Sequence, residues 1–165
     1  MKYLLGVAVL LCIAALYVAF KPATTSATRT AVFNASIKEV WSVYTDFPSQ
    51  PDWRDDLTAI EFKNKQSWSE IVEPGSIRID ISVETMDAPN KLILRTGSVG
   101  NFEGKYSAVF KTTEEGTVGT FTETATALSF SAKLTRLLFV DQAEIIDRYT
   151  ENARKEIVRR SEVSI

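Results

Sequence analysis

The chain has 165 residues, of which 45% are hydrophobic and 24% charged, a composition that excludes a disordered or low-complexity protein. Its formal net charge of −2 argues against a nucleic-acid partner. The sequence has no histidine and one cysteine, Cys12, which excludes histidine-dependent catalysis, the common zinc sites and an intrachain disulfide. We therefore expect neither a metal nor a cofactor.

The chain begins with an apolar segment. Tyr3–Phe20 contains 18 consecutive residues without a charge, between Lys2 and Lys21. As a helix rising about 1.5 Å per residue it would span roughly 27 Å, close to the ~30 Å hydrocarbon core of a bilayer. We predict a transmembrane anchor within residues 1–21. A cleaved signal peptide is the alternative, because Thr25–Ala27 offers small residues for cleavage.

The next residues predict a linker, a strand and a capped helix. Residues 22–29 are mostly small and polar and are expected to form a flexible linker. A short strand is predicted at Thr30–Asn34. Ser36 and Glu39 then have the spacing of a capping box, which begins a helix. Asp46-Phe47-Pro48 ends this helix.

The central part of the chain has the period-two pattern of strands. Ile77, Ile79 and Ile81 alternate with polar residues, so one face of the sheet is buried and the other is exposed to water. The predicted strands are Leu57–Lys63, Ser67–Val72, Ile77–Glu84, Lys91–Thr96, Phe102–Thr112 and Thr117–Phe130.

The last segment has helical periodicity. Apolar residues recur at near-helical spacing from Ser131 to about Arg160, including Leu134, Leu138 and Tyr149, and neither glycine nor proline interrupts them. We predict one helix of roughly 25–30 residues, ~40 Å long. An antiparallel sheet of six or seven strands would cover its apolar stripe.

Two motifs resemble the START-related helix-grip (SRPBCC) superfamily in its polyketide cyclase-like bacterial branch. The first is Ala-Ser-Ile-Lys-Glu-Val-Trp at Ala35–Trp41, and the second is Thr-Asp-Phe-Pro-Ser-Gln-Pro-Asp-Trp-Arg at Thr45–Arg54. The resemblance covers Arg29–Arg160. It implies an α+β helix-grip fold: a curved antiparallel sheet of six to seven strands around a long C-terminal helix, with two short helices after the first strand. A mostly apolar cavity, open at one end, would lie between sheet and helix.

These observations predict a domain at residues 30–160, preceded by the anchor (1–21) and the linker (22–29) and followed by a short tail (161–165). The N-terminal segment resembles that of single-pass bacterial members of the superfamily. Lys2 and the amino terminus lie on one side of this segment and Lys21 and Arg29 on the other, so the count of positive charges hardly distinguishes the two orientations. We prefer the orientation that keeps the short N-terminal tail in the cytoplasm. We therefore expect a bacterial inner-membrane protein with an exported domain.

Two pairs of residues are candidates near the cavity mouth. Trp53 and Arg54 lie in the turn that covers the cavity mouth in the superfamily. Arg54 would bind a carboxylate or phosphate of a ligand, or else pair with Asp55 or Asp56. Trp68 and Glu70 share a strand face and are either buried near the pocket or exposed to solvent.

Glu123 is the most informative candidate. It shares the predicted inward face with Phe121, and a buried carboxylate must be paired or neutral. It would act as a general acid or base or as a ligand anchor, or else form a structural hydrogen bond to Tyr106 or Tyr149. The small residues Ala108, Ala125 and Ala127 are expected to enlarge the cavity. The predicted ligand-binding residues are Trp53, Arg54, Trp68, Glu70, Tyr106, Phe121, Glu123 and Tyr149.

The leading functional hypothesis is membrane-anchored binding of a hydrophobic small molecule or lipid. A cyclase- or dehydrase-like enzyme that uses Glu123 and a tyrosine is the first alternative. The second is an interaction module whose cavity is filled by its own side chains.

Overall fold

A seven-stranded antiparallel sheet organises residues 16–163, the part of the chain that this computed structural model describes. The strands lie in the order β1-β7-β6-β5-β4-β3-β2. They are β1 (Thr24–Phe33), β2 (Leu57–Asn64), β3 (Ser67–Val72), β4 (Ile77–Asp87), β5 (Lys91–Ser98), β6 (Phe102–Thr113) and β7 (Gly116–Ala127). The helices are α1 (Ile37–Thr45), a 3₁₀ helix (Phe47–Asp52), α2 (Phe130–Phe139) and α3 (Gln142–Val163).

This architecture confirms the predicted α+β helix-grip fold. The long helix α3 packs against β1, β7 and α1. The capping box at the start of α1 is also confirmed. The backbone N–H of Ser36 donates to the Glu39 carboxylate at 2.8 Å, and the N–H of Glu39 donates to the Ser36 hydroxyl at 3.3 Å. Two short helices, α1 and the 3₁₀ helix, follow the first strand as predicted.

The first strand is longer than its sequence pattern indicated. β1 begins at Thr24 rather than Thr30, so most of the segment 22–29 is strand and not a flexible linker. Its small polar side chains suit an exposed strand face, because their hydroxyls pair across to β7. The pairs are Thr24–Thr126 at 2.9 Å, Ser26–Thr124 at 3.1 Å and Thr28–Thr122 at 3.0 Å.

The predicted C-terminal helix is divided into two. Val140 has an extended backbone (φ −119°, ψ 109°) and ends α2. The carboxylate of Asp141 then accepts hydrogen bonds from the backbone N–H groups of Ala143 and Glu144, at 2.9 and 3.2 Å, and caps α3. α3 continues to Val163, into the segment predicted as a tail.

The predicted transmembrane helix falls largely outside the described residues. Tyr3 and the rest of residues 1–15 are not described, whereas residues 16–20, ending at Phe20, are helical. Between residues 16 and 163, we find no helix with the length and apolar character needed to cross a bilayer.

A cluster of aromatic rings fills the space between α1 and strands β1, β6 and β7. Tyr44 stacks on Phe121, with ring centroids 5.3 Å apart and planes 14° apart, and both rings meet Phe33 and Phe110 edge-on. Gly119 is required here, because a Cβ at this position would lie 2.5 Å from the Phe121 ring. The cluster closes this part of the interior.

Candidate ligand-binding site

A partly open cavity of about 120 Å³ lies between α3, the 3₁₀ helix with the turn that follows it, and strands β3 to β7. Its walls are mainly apolar. The aliphatic and aromatic lining includes Ile79, Ile81, Leu94, Phe102, Ile145 and Ile146. The strand residues among them come from one face of β4, β5 and β6. Sheet and helix therefore enclose a space whose surface is mainly apolar.

Six of the eight predicted binding residues line this cavity: Arg54, Trp68, Glu70, Tyr106, Glu123 and Tyr149. Trp53 and Phe121 do not. The Trp53 ring instead stacks on the ring of Tyr149, which lines the cavity, with centroids 5.8 Å apart. Phe121 faces inward as predicted, but it belongs to the aromatic cluster beneath α1.

The small residues on the inward face do not create the cavity. Ala108 and Ala125 are buried, but neither they nor Ala127 lines it. Ala108 is the cross-strand partner of Phe121, so the space that its small side chain leaves is taken by the aromatic cluster. The expectation that these alanines enlarge the cavity is therefore wrong.

Arg54 is the centre of a buried ionic cluster. Its guanidinium donates to Asp56 through Nε and Nη2, at 3.2 and 2.9 Å, and to Glu70 through Nη1 at 2.9 Å. Nη1 also donates to the Gln50 side-chain oxygen at 3.0 Å. The side chains of Arg54, Asp56 and Glu70 are only 11%, 10% and 6% exposed. The guanidinium carbon lies 5.0 Å from the centre of the Tyr149 ring.

This cluster decides between the two expectations for Arg54. The arginine pairs with Asp56, whereas Asp55 accepts a hydrogen bond from Asn152 at 2.7 Å. Burial disfavours the charged guanidinium, but the charges of Glu70 and Asp56 outweigh it and raise the pKa of Arg54. Burial likewise opposes ionisation of Asp56, yet the hydrogen bonds and charge of Arg54 hold its pKa below the usual value. Arg54 is therefore already committed to protein carboxylates.

Trp68 and Glu70 form the second predicted pair. Trp68 is fully buried, and its Nε1–H donates to Glu70 Oε1 at 3.0 Å. The ring of Phe47 lies 4.2 Å from the Trp68 ring. The solvent-exposed alternative for this pair is therefore wrong, and both oxygens of Glu70 are used within the protein.

Tyr106 and Glu123 face each other across β6 and β7 as register partners, and both line the cavity. Burial raises the pKa of Glu123, and the positive charge of Arg136 and the side chain of Gln142 oppose this only in part. The Tyr106 hydroxyl is buried without a hydrogen-bond partner among the described residues. Burial raises its pKa well above 10, so it remains an O–H donor.

The hydroxyl of Tyr149 instead accepts a hydrogen bond from Gln50 at 3.2 Å.

The charged groups of the lining set what the cavity accepts. One positive group, Arg54, is balanced by two carboxylates, Asp56 and Glu70, and Glu123 adds a further acidic group. Positive charge is therefore not in excess in the lining. Within residues 16–163, no cluster of three or more carboxylate or thiol side chains could hold a metal ion.

Sequence reasoning missed several residues of the site. Gln50 lies in the segment bracketed by Pro48 and Pro51, and this turn brings its side chain to Arg54 and Tyr149. Ile79 and Ile81 were recognised as a buried face, but no sequence signal distinguishes a cavity wall from packed core. Asp56 was named only as a partner of Arg54.

The comparisons with known proteins agree with this geometry. The sequence model of the family described as polyketide cyclase / dehydrase and lipid transport matches residues 24–158. The chain belongs to this family. Membership confirms the resemblance to the SRPBCC superfamily and supports hydrophobic ligand binding. No curated protein matches the chain.

Several solved structures share the fold of this chain. A norcoclaurine synthase point mutant from Thalictrum flavum, in complex with a transition-state analogue, is 12% identical, with 84% of this chain and 96% of that chain covered and a TM-score of 0.66. A protein of unknown function from Staphylococcus aureus is 11% identical over 84% and 96% of the two chains, with a TM-score of 0.63. A conserved protein from Geobacillus kaustophilus is 16% identical over 82% and 95%, with a TM-score of 0.59. At these identities the likeness shows the fold alone.

Proposed function

We propose that this family member binds a small, uncharged or cationic apolar molecule in the cavity between the sheet and α3. The observation that carries the proposal is a mainly apolar cavity lined in part by Tyr106, whose buried hydroxyl has no hydrogen-bond partner among the described residues. Ligand pockets typically combine apolar walls with a few polar groups that orient the ligand. An open cavity also argues against an interior filled by the protein's own side chains.

The size of the cavity limits the ligand. A dry apolar cavity of about 150 Å³ is known to hold benzene. The present cavity, at about 120 Å³, therefore suits a single ring, a short branched chain, or one end of a longer molecule that extends through the open side.

The polar groups limit the ligand's charge. Because Arg54 is committed to Asp56, Glu70 and Gln50, it offers little to a ligand carboxylate or phosphate. The Tyr106 hydroxyl can donate to a carbonyl or ether oxygen, and Glu123 can accept from a hydroxyl or amine. A neutral or cationic polar head on an apolar body fits these groups.

We also propose that the chain is attached to a membrane, with the domain on the exported side of a bacterial inner membrane. The support is the uncharged run Tyr3–Phe20. At its described end, Leu16, Tyr17 and Phe20 all expose more than half of their surface.

Three single-ring compounds that differ mainly in charge test the ligand proposal: benzyl alcohol, benzylamine and benzoate. We expect benzyl alcohol and benzylamine to shift the NMR signals of cavity residues such as Ile79 and Ile146. Benzoate should bind at least about tenfold more weakly, a difference of about 1.4 kcal/mol, because it meets Glu70, Asp56 and Glu123.

A cavity-filling variant supplies the matched control for this titration. Leu94→Phe adds volume to the cavity wall and should abolish binding, whereas Val158→Phe, at an exposed position of α3, should not. Equal or tighter binding of benzoate would contradict the proposed charge preference. Binding unaffected by Leu94→Phe would contradict the site itself.

Acid–base catalysis is the second candidate function, and the position of Tyr106 opposite Glu123 on the neighbouring strand favours it. A carboxyl group with a raised pKa and a tyrosine O–H that line the same cavity can transfer protons to and from a neutral substrate, as a cyclase- or dehydrase-like reaction requires. Turnover of a substrate by the native chain but not by Glu123→Gln, with the fold intact, would support this candidate.

The raised pKa of Glu123 predicts a pH-dependent stability change. Its carboxyl holds a proton more tightly when folded than when unfolded, so its contribution to stability falls as the pH rises from its unfolded pKa, about 4.3, towards its folded pKa. Glu123→Gln should therefore be more stable than the native chain at neutral pH, and this gain should disappear in acid.

Urea unfolding from pH 4 to pH 8 measures this difference. Glu103→Gln, at an exposed position of β6, corrects for the general effect of removing one negative charge. A Glu123→Gln chain less stable than the native chain at neutral pH would show that the glutamate is ionised and favourably paired.

A further inference from the structure

Helix α2 carries its apolar stripe on the outside of the protein. Phe130, Leu134, Leu137 and Leu138 follow the i, i+4, i+7, i+8 spacing of one helix face. These four residues and the terminal Phe139 are between 36% and 79% exposed. A surface helix of a soluble domain normally turns such a stripe towards the core.

The opposite side of α2 is polar and faces the sheet. The guanidinium carbon of Arg136 lies 5.4 Å from the centre of the Phe102 ring, and its Nη2 donates to the Thr25 hydroxyl at 3.3 Å. Ala132 on this side is buried. The helix is thus fixed to the domain by its polar side, which leaves a large part of its apolar face exposed.

The exposed face lies beside the end of the uncharged N-terminal run. Lys133 Nζ on α2 donates to the backbone oxygen of Ala19 at 2.9 Å. Next to α2, Leu128 is exposed, and its backbone N–H donates to Asn101 in the turn that carries exposed Val99. Exposed apolar side chains therefore continue from the helix to neighbouring segments.

The charge of α2 favours one occupant for this face. Lys133 lies near the edge of this face, and Lys21 follows the uncharged run in sequence, whereas Arg136 is on the opposite side, against the sheet. Lysines beside an apolar helix face match an interface that contains anionic lipid. A second copy of the chain fits less well, because two α2 helices facing each other would bring their Lys133 side chains together, and neither helix carries an acidic residue.

We propose that the apolar face of α2 lies in the interfacial region of an anionic bilayer, parallel to its plane. This inference rests on the proposed membrane attachment through Tyr3–Phe20. Because Arg136 contacts Phe102, which is a wall of the cavity, docking of α2 places that wall one helix away from the lipid.

Depth-dependent fluorescence quenching of the full chain tests the proposal. The chain carries Cys12→Ser and one new cysteine labelled with bimane, and is reconstituted into vesicles of phosphatidylcholine and phosphatidylglycerol that contain brominated acyl chains. We expect a label at Leu138→Cys to be quenched several-fold more than a label at Val158→Cys, an exposed position of α3. Phe139→Cys provides a second α2 position in case Leu138→Cys does not fold.

Vesicle flotation in the same samples separates the two proposals. If the chain floats but the α2 and α3 labels are quenched equally, α2 docking is overturned and membrane attachment stands. If the chain does not float with the vesicles, both are overturned, whereas the ligand titration still tests the cavity. Self-quenching of the α2 label without quenching by brominated lipid would assign the face to a second copy and would likewise overturn docking.

Discussion

Arg54→Ala is expected to cost about 3–5 kcal/mol of unfolding free energy, because it leaves two buried carboxylates, those of Asp56 and Glu70, without their positive partner. The cost should shrink in acid. In the native chain the lowered pKa of Asp56 contributes stability at neutral pH that is lost as the pH falls. In the variant, acid protonates the unpaired carboxylates of Asp56 and Glu70, and this removes the cost of burying their charges. Urea unfolding at pH 7 and pH 4 measures both effects.

Arg29→Ala is the matched control for this experiment. Arg29 also pairs with an aspartate, Asp147, at 3.1 Å, but both side chains are about half exposed. Removal of such an exposed pair should cost about 1 kcal/mol or less. If the two variants were equally stable, the cluster around Arg54 would be no more than a solvated ion pair.

Phe121→Ala is expected to cost about 3–5 kcal/mol, the range measured for large aromatic side chains removed from a packed core. Phe121 is fully buried and its ring contacts Phe33, Tyr44 and Phe110. Because it does not line the cavity, the milder Phe121→Leu should lower stability without changing the affinity for benzyl alcohol. Thermal unfolding and the ligand titration measure the two effects separately.

Phe62→Ala provides the control for Phe121→Ala. Phe62 lies on β2 at the edge of the sheet and is about half exposed, so its removal should cost about 1 kcal/mol or less. If Phe121→Leu weakened the affinity for benzyl alcohol at unchanged stability, Phe121 would belong to the binding site, contrary to its position outside the cavity lining.

Local patterns predicted the parts of the fold that depend on neighbouring residues. Ser36 and Glu39 begin α1 through their own side chains, and the alternation around Ile79 marks one buried face of β4. The inward face of β7, with Phe121 and Glu123, was predicted for the same reason. Such features require only the period of a helix or strand.

The remaining features depend on contacts between distant segments. Arg54 and Asp56 are close in sequence, but Glu70 reaches them from β3, and no local pattern indicates this. The division of the last helix at Val140 did have a signal, the capping residue Asp141, which continuous helical periodicity obscured. The Thr- and Ser-rich start of β1 resembled a linker because its hydroxyl partners lie between 94 and 102 residues away on β7.

The early start of β1 has a mechanical consequence. Because pairing with β7 begins at Thr24, only residues 21–23 separate the strand from the end of the uncharged run at Phe20. Under the proposed attachment, so short a connection would hold the domain in one orientation relative to the membrane. The domain would diffuse laterally together with its anchor. It would then encounter molecules dissolved in the bilayer by a two-dimensional search.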